Sequence, residues 1–132
     1  MSIDTQPDLT VARRVLQAAD TDIAAFFDFF TDDTRFRMGN ADPVVGREQI
    51  IAWVGSYLGS VAGLRHDVIE ELYGADVAML RVEVTYTMQN GTSFTLPAIT
   101  RTRIRGDKIV EYLIFMDPSP VEAASHPHRT SN

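Results

Sequence analysis

The sequence contains no cysteine. Disulfide bonds and thiolate metal ligands are therefore excluded, and cysteine usage marks no redox compartment. No apolar stretch approaches the ~20 residues that a membrane-spanning helix needs. Residues 1–8 are polar and acidic, without the basic region and apolar core of a secretory signal peptide. These absences predict a soluble, cytoplasmic protein with no membrane partner.

Positive charge is also scarce. The chain carries 12 Lys and Arg against 18 Asp and Glu, a formal net charge of −6. Because phosphate backbones are bound by basic surfaces, we expect no nucleic-acid partner. The phosphate-cradling and nucleophile-elbow motifs are absent, and His66 is the one histidine outside the C-terminal tail, among carboxylates without metal-ligand spacing. We therefore expect neither a metal nor an organic cofactor.

What remains is an ordinary globular composition. The 132 residues are 45% hydrophobic, enough to bury one substantial core. We expect a single domain over residues 1–132, with frayed ends at about 1–6 and 122–132.

Three helices are predicted in the N-terminal half. Apolar residues recur at helical spacing over residues 7–20, and the Asp20 carboxylate is placed to cap a second helix that includes Phe30 and ends at residues 31–33. The third helix is expected from near Arg47 to Gly59. The apolar positions of the three helices are Leu9, Ala12, Val15, Leu16 and Ala19, then Ile23, Phe26, Phe27 and Phe30, then Ile50, Trp53, Val54, Tyr57 and Leu58.

The pattern changes to strands after Gly63. Residues 64–73, 76–88, 92–105 and 108–116 are rich in β-branched and aromatic residues and alternate in polarity, and short turns at 89–91 and 106–107 join the last three into an antiparallel meander. A further short strand is expected at 35–38. Pro97 indicates a bulge or a sheet edge, because proline cannot donate to the ladder.

The element order ααβαββββ predicts an α+β fold. Three helices from the N-terminal half cover one face of a curved antiparallel sheet, and together they form a cone with a blind pocket. Such a pocket suits a small apolar molecule. The other face of the sheet is expected to form a homodimer.

Five segments resemble the SnoaL-like branch of the nuclear transport factor 2-like superfamily, over roughly residues 8–121. They are ADTDIAAFFDFFTDD (19–33), RFRMGNADPVVGREQI (35–50), GLRHDV (63–68), VEVTYTMQNG (82–91) and YLIFMDPSPV (112–121). The resemblance implies the cone fold. It does not imply one function, because the superfamily includes isomerases, epoxide hydrolases, polyketide cyclases, dehydratases and non-catalytic binders.

Ketosteroid isomerase is one comparator within this resemblance. That family uses an Asp general base, with a Tyr and a protonated Asp as the oxyanion hole. In the register implied by the resemblance, the base falls at Met38, the oxyanion Asp at Pro97 and the Tyr at Arg14. None of the three functional groups is present, which argues against isomerisation by that machinery.

Limonene-1,2-epoxide hydrolase is the second comparator, and it activates water with an Asp-Arg-Asp relay, a Tyr and an Asn. The segment 81–83, Arg-Val-Glu, resembles its Arg-x-Asp. The second Asp falls at Ile114, the Tyr at Phe36 and the Asn at Met38. Water activation of that type is therefore left without its second carboxylate.

His66, Tyr112 and Asp117 remain as candidate catalytic residues. His66 lies on a predicted strand, where a neutral imidazole serves as acid or base near neutral pH; the competing interpretation is a hydrogen-bonded structural histidine. Asp117 either ties down the turn before Pro118 or acts on a ligand at the mouth of the cone. Tyr112 falls on the cavity wall in the isomerase register.

The predicted pocket wall is largely apolar, and each member is equally compatible with ordinary core. Arg81 and Glu83 lie on one face of their strand, so they form either an outward ion pair or a catalytic pair. The alternate positions of the same strand, which include Leu80, are apolar and are expected to face the helices. The outward position is therefore favoured for Arg81 and Glu83. The residues expected to line the pocket are Met38, Trp53, Tyr57, Tyr86, Pro97, Ile114 and Met116.

Two functions stay open from the sequence. One is a cofactor-independent enzyme, an isomerase, cyclase or hydrolase, which uses His66 with a neighbouring Tyr or Asp on an apolar metabolite. The other is a ligand-binding or dimerising domain that keeps the cone without acid–base groups. The position of His66 relative to the cavity distinguishes them.

Overall fold

The structure, a computed structural model, describes residues 6–125. The predicted α+β class is confirmed: four helices accompany one six-stranded, curved and unclosed mixed sheet. The elements in chain order are α1 (Val11–Thr21), α2 (Ile23–Phe27), β1 (Phe30–Met38), β2 (Val44–Val45), α3 (Arg47–Tyr57), β3 (Val61–Tyr73), β4 (Val77–Met88), β5 (Ser93–Arg105), β6 (Lys108–Phe115) and α4 (Ser119–Ser125).

Helix α1 continues one residue beyond the predicted cap. Its apolar stripe is buried against β3 and α2, and Asp20 lies inside its last turn. The cap of α2 is Asp22, whose carboxylate accepts the backbone amides of Ala24 and Ala25 at 3.2 and 3.4 Å. The prediction that Asp20 caps the second helix is therefore wrong, and its side chain is available for another contact.

Helix α2 is also shorter than predicted. It ends at Phe27, and Phe30 begins β1 instead of completing the helix. The ring of Phe30 still packs edge-on against Phe26, with centroids 5.1 Å apart. A helix and a short turn into a strand both direct a residue at this spacing into the core, so apolar spacing alone does not separate the two cases.

The sheet has the order β2-β1-β6-β5-β4-β3. Strands β4 to β6 form the predicted antiparallel meander, and β3 extends it by pairing antiparallel with β4. Strand β1, however, pairs parallel with β6, for example Phe36 with Tyr112. The expectation of a fully antiparallel sheet is corrected here, because the pairing of β1 depends on the long path through α3 and the hairpins and not on a local turn.

Strand β4 has a clear inner and outer face. Leu80 and Tyr86 are among its buried positions, whereas Arg81 and Glu83 are exposed on the outer surface. Arg81 Nε donates to Glu70 Oε1 at 3.2 Å on that surface. The outward position expected for Arg81 and Glu83 is therefore confirmed, but the ion-pair partner of Arg81 is Glu70 on β3 and not Glu83.

Pro97 occupies an edge position within β5. It pairs with Glu83 on β4, but β6 pairs with β5 only from Ile99 onwards. The missing proline donor is tolerated at such an edge. The irregularity in the β5–β6 register lies between Arg103 and Ile104, so the bulge alternative for Pro97 does not apply.

The C-terminal segment is more ordered than expected. Residues 122–125, predicted to be frayed, belong to α4, in which Val121 is completely buried. The predicted fraying of residues 1–5 and 126–132 lies outside the described residues.

Candidate functional site

A small apolar cavity lies between the helices and the inner face of the sheet. Its volume is about 50 Å³. Since a water molecule needs roughly 10–15 Å³ of such space, the cavity takes a few waters or one end of a ligand. We call it the inner cavity; its lining residues are Ala19, Ile23, Phe26, Phe36, Met38, Val54, Tyr57, Leu58, Leu64, His66, Tyr86, Tyr112 and Ile114.

A larger vestibule adjoins the inner cavity, with a volume of about 420 Å³. The two spaces share apolar walls from α1, α2, α3 and β3, so a ligand could lie with its body in the vestibule and its tip inside. Asp20 lines the vestibule and His66 lines the inner cavity. The residues common to both spaces are Ala19, Ile23, Val54, Leu58 and Leu64.

Asp20 and His66 are hydrogen-bonded to each other where the two spaces meet. Asp20 Oδ1 lies 2.6 Å from His66 Nδ1, and Asp20 Oδ2 accepts the backbone amide of His66 at 2.9 Å. The side chains are 12% exposed for His66 and 18% for Asp20. One carboxylate from α1 therefore fixes both the ring and the backbone of a residue on β3.

This contact determines the form in which the imidazole is presented. A carboxylate beside Nδ1 favours the tautomer with the proton on Nδ1, which leaves a free lone pair on Nε2. A histidine oriented in this way is the usual arrangement for a general base. In that tautomer, Nε2 can accept a proton while the Asp20 carboxylate orients the ring.

Tyr112 is the second polar group of the inner cavity. It is 2% exposed, it lines the inner cavity, and none of the hydrogen bonds found within residues 6–125 involves its hydroxyl. Burial, followed by the charge of Asp20 and the neighbouring Tyr86, raises the pKa of Tyr112. A phenol that stays protonated and unpaired in an apolar space is a donor available to a ligand oxygen.

Tyr57 and Tyr86 form a separate polar group on the cavity wall. Their hydroxyl oxygens are 2.9 Å apart, and the Tyr86 hydroxyl also lies 3.8 Å from the Met116 sulfur. Burial is the main cause that raises the pKa of Tyr57 and of Tyr86. Both side chains therefore remain neutral hydrogen-bonding groups and cannot serve as bases near neutral pH.

The candidate Asp117 lies elsewhere. Its Oδ1 accepts the backbone amide of Ser119 at 3.0 Å, and it lines an open groove of about 660 Å³ that shares only Met38 with the inner cavity. The bond to Ser119 lowers the pKa of the Asp117 carboxyl. The structure thus separates Asp117 from His66 and Tyr112, which share one cavity.

The predicted pocket residues divide in the same way. Trp53 stacks behind Tyr57 at 5.3 Å and lines the Asp117 groove, as does Met116. Pro97 is exposed on the outer face of the sheet, because it alternates with the buried Ala98. The residues that do line the inner cavity are Met38, Tyr57, Tyr86 and Ile114.

Asp20 is the functional candidate that sequence reasoning missed. The segment 19–23 contains two acids, Asp20 and Asp22, while one N-cap requires only one. The surplus acid was the available signal. Its partner lies 46 residues later in the chain, so no local pattern identifies His66 as that partner.

Residues 6–125 contain no group of three or more His, Asp or Glu side chains placed to hold a metal ion. In the same region, no helix is long and apolar enough to cross a membrane.

The fold and the site together define a class: an α+β fold whose helices and curved sheet line a small apolar cavity, with a carboxylate-bonded histidine on its wall. The sequence profile of the SnoaL-like domain matches residues 12–112. The chain therefore belongs to the SnoaL-like family, as its resemblance to that family predicted. No curated protein matches the sequence with significant similarity.

Solved structures share the fold at low sequence identity. A candidate SnoaL-like polyketide cyclase from Jannaschia sp. CCS1 has a TM-score of 0.75 at 17% identity, over 94% of each chain. An NTF2-like protein from Anabaena variabilis ATCC 29413 has a TM-score of 0.72 at 20% identity, over 89% of this chain and 94% of that one. A protein with a ketosteroid isomerase-like fold from Catenulispora acidiphila DSM 44928, in complex with trimethylamine, has a TM-score of 0.69 at 18% identity, over 80% and 83%.

Proposed function

We propose that this protein is a cofactor-independent enzyme that abstracts a proton next to the carbonyl group of a small apolar metabolite. His66 is the general base, Asp20 positions it, and Tyr112 donates a hydrogen bond to the carbonyl oxygen. The observation that carries the proposal is the Asp20 carboxylate held by both Nδ1 and the backbone amide of His66, with His66 on the wall of an apolar cavity.

The chemistry follows from these three groups. His66 Nε2 takes the proton from the carbon beside the carbonyl, and the electron pair of the C–H bond moves into a C=C bond while the carbonyl π pair moves onto oxygen. The Tyr112 hydroxyl stabilises that developing negative charge, and Asp20 stabilises the imidazolium. In a β,γ-unsaturated ketone the resulting dienolate takes the proton back from His66 at its γ-carbon, and the C=C bond moves into conjugation with the carbonyl without gain or loss of atoms.

The apolar surroundings strengthen both the hydrogen bond from Tyr112 and the contact of Asp20 with the imidazolium. The cavity walls are mainly apolar, so the hydrogen bonds act in a medium of low polarity, where they are stronger than in water. The raised pKa of Tyr112 keeps the phenol protonated, as a donor must be. Met38 occupies the position of the isomerase base, and the proposed base lies on another strand.

A non-catalytic ligand-binding domain is the alternative. The absence of the isomerase and epoxide hydrolase groups and the small volume of the inner cavity favour it. In either case we propose a homodimer through the outer face of the sheet, where Met79, Ile99 and Phe115 are 38%, 37% and 52% exposed. Ile99 and Phe115 are directly paired across β5 and β6, and neighbouring apolar side chains on an exposed sheet face are typical of an association surface.

The test measures proton transfer directly. Cyclohex-3-enone is incubated with the protein in D2O, and NMR follows both deuterium incorporation beside the carbonyl and conversion to cyclohex-2-enone. Since general acid–base catalysis contributes typically 10²–10⁴-fold, we expect the wild-type acceleration to fall at least about a hundredfold in His66→Ala, with Arg81→Ala as the surface control. Equal rates in wild type and His66→Ala would contradict the proposal, and binding without exchange would support the alternative.

A further inference from the structure

The proposed reaction does not use the two facing phenols of Tyr57 and Tyr86. Their hydroxyl oxygens are 2.9 Å apart on the wall of the inner cavity, and the ring planes meet edge-on at 82°. Each ring is held from behind, Tyr57 by Trp53 and Tyr86 by Phe94, in stacked pairs with centroids 5.3 and 5.7 Å apart. The rings are therefore fixed by packing, and the hydroxyl pair is not needed to hold them.

The hydrogen bonds of the pair have a direction. The Tyr86 hydroxyl has one proton, and the Met116 sulfur, 3.8 Å away, can only accept it. With that proton directed to Met116, Tyr57 is the donor and Tyr86 the acceptor in the bond between the two hydroxyls.

The chain of hydrogen bonds therefore ends on a poor acceptor. A thioether sulfur accepts only weakly, whereas a carbonyl or hydroxyl oxygen accepts well. A donor that itself receives a hydrogen bond is strengthened, as Tyr86 is by Tyr57. Met116 has a flexible side chain that can move aside for a better acceptor. The Tyr86 hydroxyl is thus an incompletely satisfied donor beside an apolar cavity.

Tyr86 lies at a defined offset from the proposed base. On the inner face, Leu64 pairs with Tyr86 and His66 pairs with Val84, so Tyr86 is the diagonal cross-strand neighbour of His66. Diagonal neighbours have Cα atoms roughly 7–8 Å apart. One small molecule can therefore place its reactive carbon at His66 and a second group at Tyr86.

We infer that the substrate carries a second oxygen function besides its reactive carbonyl, and that the Tyr86 hydroxyl, supported by Tyr57, binds that oxygen. The substrate class is a small apolar diketone or hydroxyketone, and Tyr86 and Tyr57 determine this specificity. The inference rests on the proposed function only in placing the reactive carbonyl at His66 and Tyr112.

The test uses binding, so that it is independent of turnover. Two matched pairs of probes differ by one oxygen: cyclohexanone with cyclohexane-1,4-dione, and 1-tetralone with 6-hydroxy-1-tetralone. Dissociation constants are measured by two-dimensional NMR titration of the full chain. One hydrogen bond contributes about 0.5–1.5 kcal/mol, or roughly two- to twelvefold in affinity. We expect the dioxygenated member of at least one pair to bind wild type more tightly by that factor.

Three variants locate the effect. Tyr86→Phe should abolish the preference, and Tyr57→Phe should reduce it, because the polarising hydrogen bond is lost while the Tyr86 donor remains. Tyr73→Phe, a change of an exposed tyrosine bonded to Glu71, is the matched control and should keep the preference. Phenylalanine retains the ring packing at both cavity positions, and thermal melts verify that each variant folds.

The outcomes separate this inference from the proposed function. A preference that Tyr86→Phe removes and His66→Ala retains supports the second-oxygen site, whether or not proton exchange is observed. Equal affinities within both pairs, no measurable binding of either dioxygenated probe, or a preference unchanged in Tyr86→Phe would overturn it. Those results would not bear on the role of His66, which the deuterium-exchange assay tests separately.

Discussion

Two carboxylates, Asp20 beside the inner cavity and Asp117 in the separate groove, behave in opposite ways. Asp20 comes from a helix and holds a histidine on a strand, 46 residues away in the chain. Asp117 holds the amide of Ser119, two residues away. The Asp20 side chain is 18% exposed and lines the vestibule, whereas Asp117 is exposed and lines an open groove.

The difference shows how a functional carboxylate is recognised. Asp117 follows the last strand and precedes a proline, a context that marks a turn, and its side chain serves that turn. Asp20 stands in a context typical of a cap, yet Asp22 takes the cap and Asp20 is left for a tertiary contact. A carboxylate that local structure does not use is the one that can orient another side chain.

The largest expected effect is on the rate of catalysis, which should separate Asp20 from Asp117. Asp20→Asn should slow the deuterium exchange of cyclohex-3-enone by at least about a hundredfold, because the amide no longer favours the reactive tautomer or stabilises the imidazolium. Asp117→Asn should change the rate by less than about twofold. Both rates are obtained from the same NMR assay at saturating and subsaturating substrate.

The matched pair makes the result decisive. Both substitutions replace one carboxylate with an isosteric amide, so loss of negative charge is common to the two variants. A similar loss of rate in Asp20→Asn and Asp117→Asn would show that general electrostatics, and not the orientation of His66, controls the reaction.

A smaller effect compares the tyrosines on the two sides of the inner cavity. Tyr112→Phe should leave the free energy of unfolding unchanged or slightly higher, because it keeps the buried ring and removes a hydroxyl that makes no hydrogen bond within residues 6–125. Tyr86→Phe should lower it by about 1 kcal/mol, because the Tyr57 hydroxyl loses its acceptor. Urea denaturation measures both values.

The exchange assay completes this comparison. Tyr112→Phe should slow exchange despite its unchanged stability, since it removes the donor to the carbonyl oxygen. A clear destabilisation by Tyr112→Phe, or an unchanged exchange rate, would indicate that the Tyr112 hydroxyl is structural.

The smallest expected effect concerns ionisation at high pH. Burial favours the neutral phenols of Tyr57, Tyr86 and Tyr112, so their folded-state pKa values lie above the unfolded value of about 10. Their contribution to the free energy of unfolding is therefore full below pH ~10 and is lost as the pH rises through the folded-state values.

Ultraviolet titration measures the phenolate directly. At pH 10 in the folded protein, clearly less than half of the four tyrosines should be ionised, and the missing signal should appear on unfolding in urea at the same pH. Half-ionisation of the folded protein at pH 10 would contradict the buried, neutral state assigned to these side chains.

Much of the fold follows from local patterns. Strand alternation placed Arg81 outside and Tyr86 inside, and the hairpin turns set the meander, because both depend on neighbouring residues. The parallel pairing of β1 with β6 did not follow, because it depends on a chain path through most of the domain. The predicted end of α2 was too late in the chain, because Phe30 points into the core both as part of a helix and as the first residue of a strand.

The candidate site was predicted only in part, because the contact between Asp20 and His66 joins residues that are distant in the sequence. His66 was selected as the one histidine outside the C-terminal tail and Tyr112 from the isomerase register, and the structure brings them to one cavity. Asp20 was assigned to a cap because its partner is distant in sequence. Pro97 came from an alignment register, and its exposed position follows from alternation along β5, with Ala98 buried beside it.

The most direct test of the central claim is the tautomeric state of His66. Nitrogen-15 NMR of the full chain at neutral pH distinguishes a protonated from an unprotonated ring nitrogen. We predict that neutral His66 carries its proton on Nδ1, with Nε2 free, and that Asp20→Asn weakens this preference. A proton on Nε2 in the wild-type protein, unaffected by Asp20→Asn, would contradict the assignment of His66 as a base oriented by Asp20.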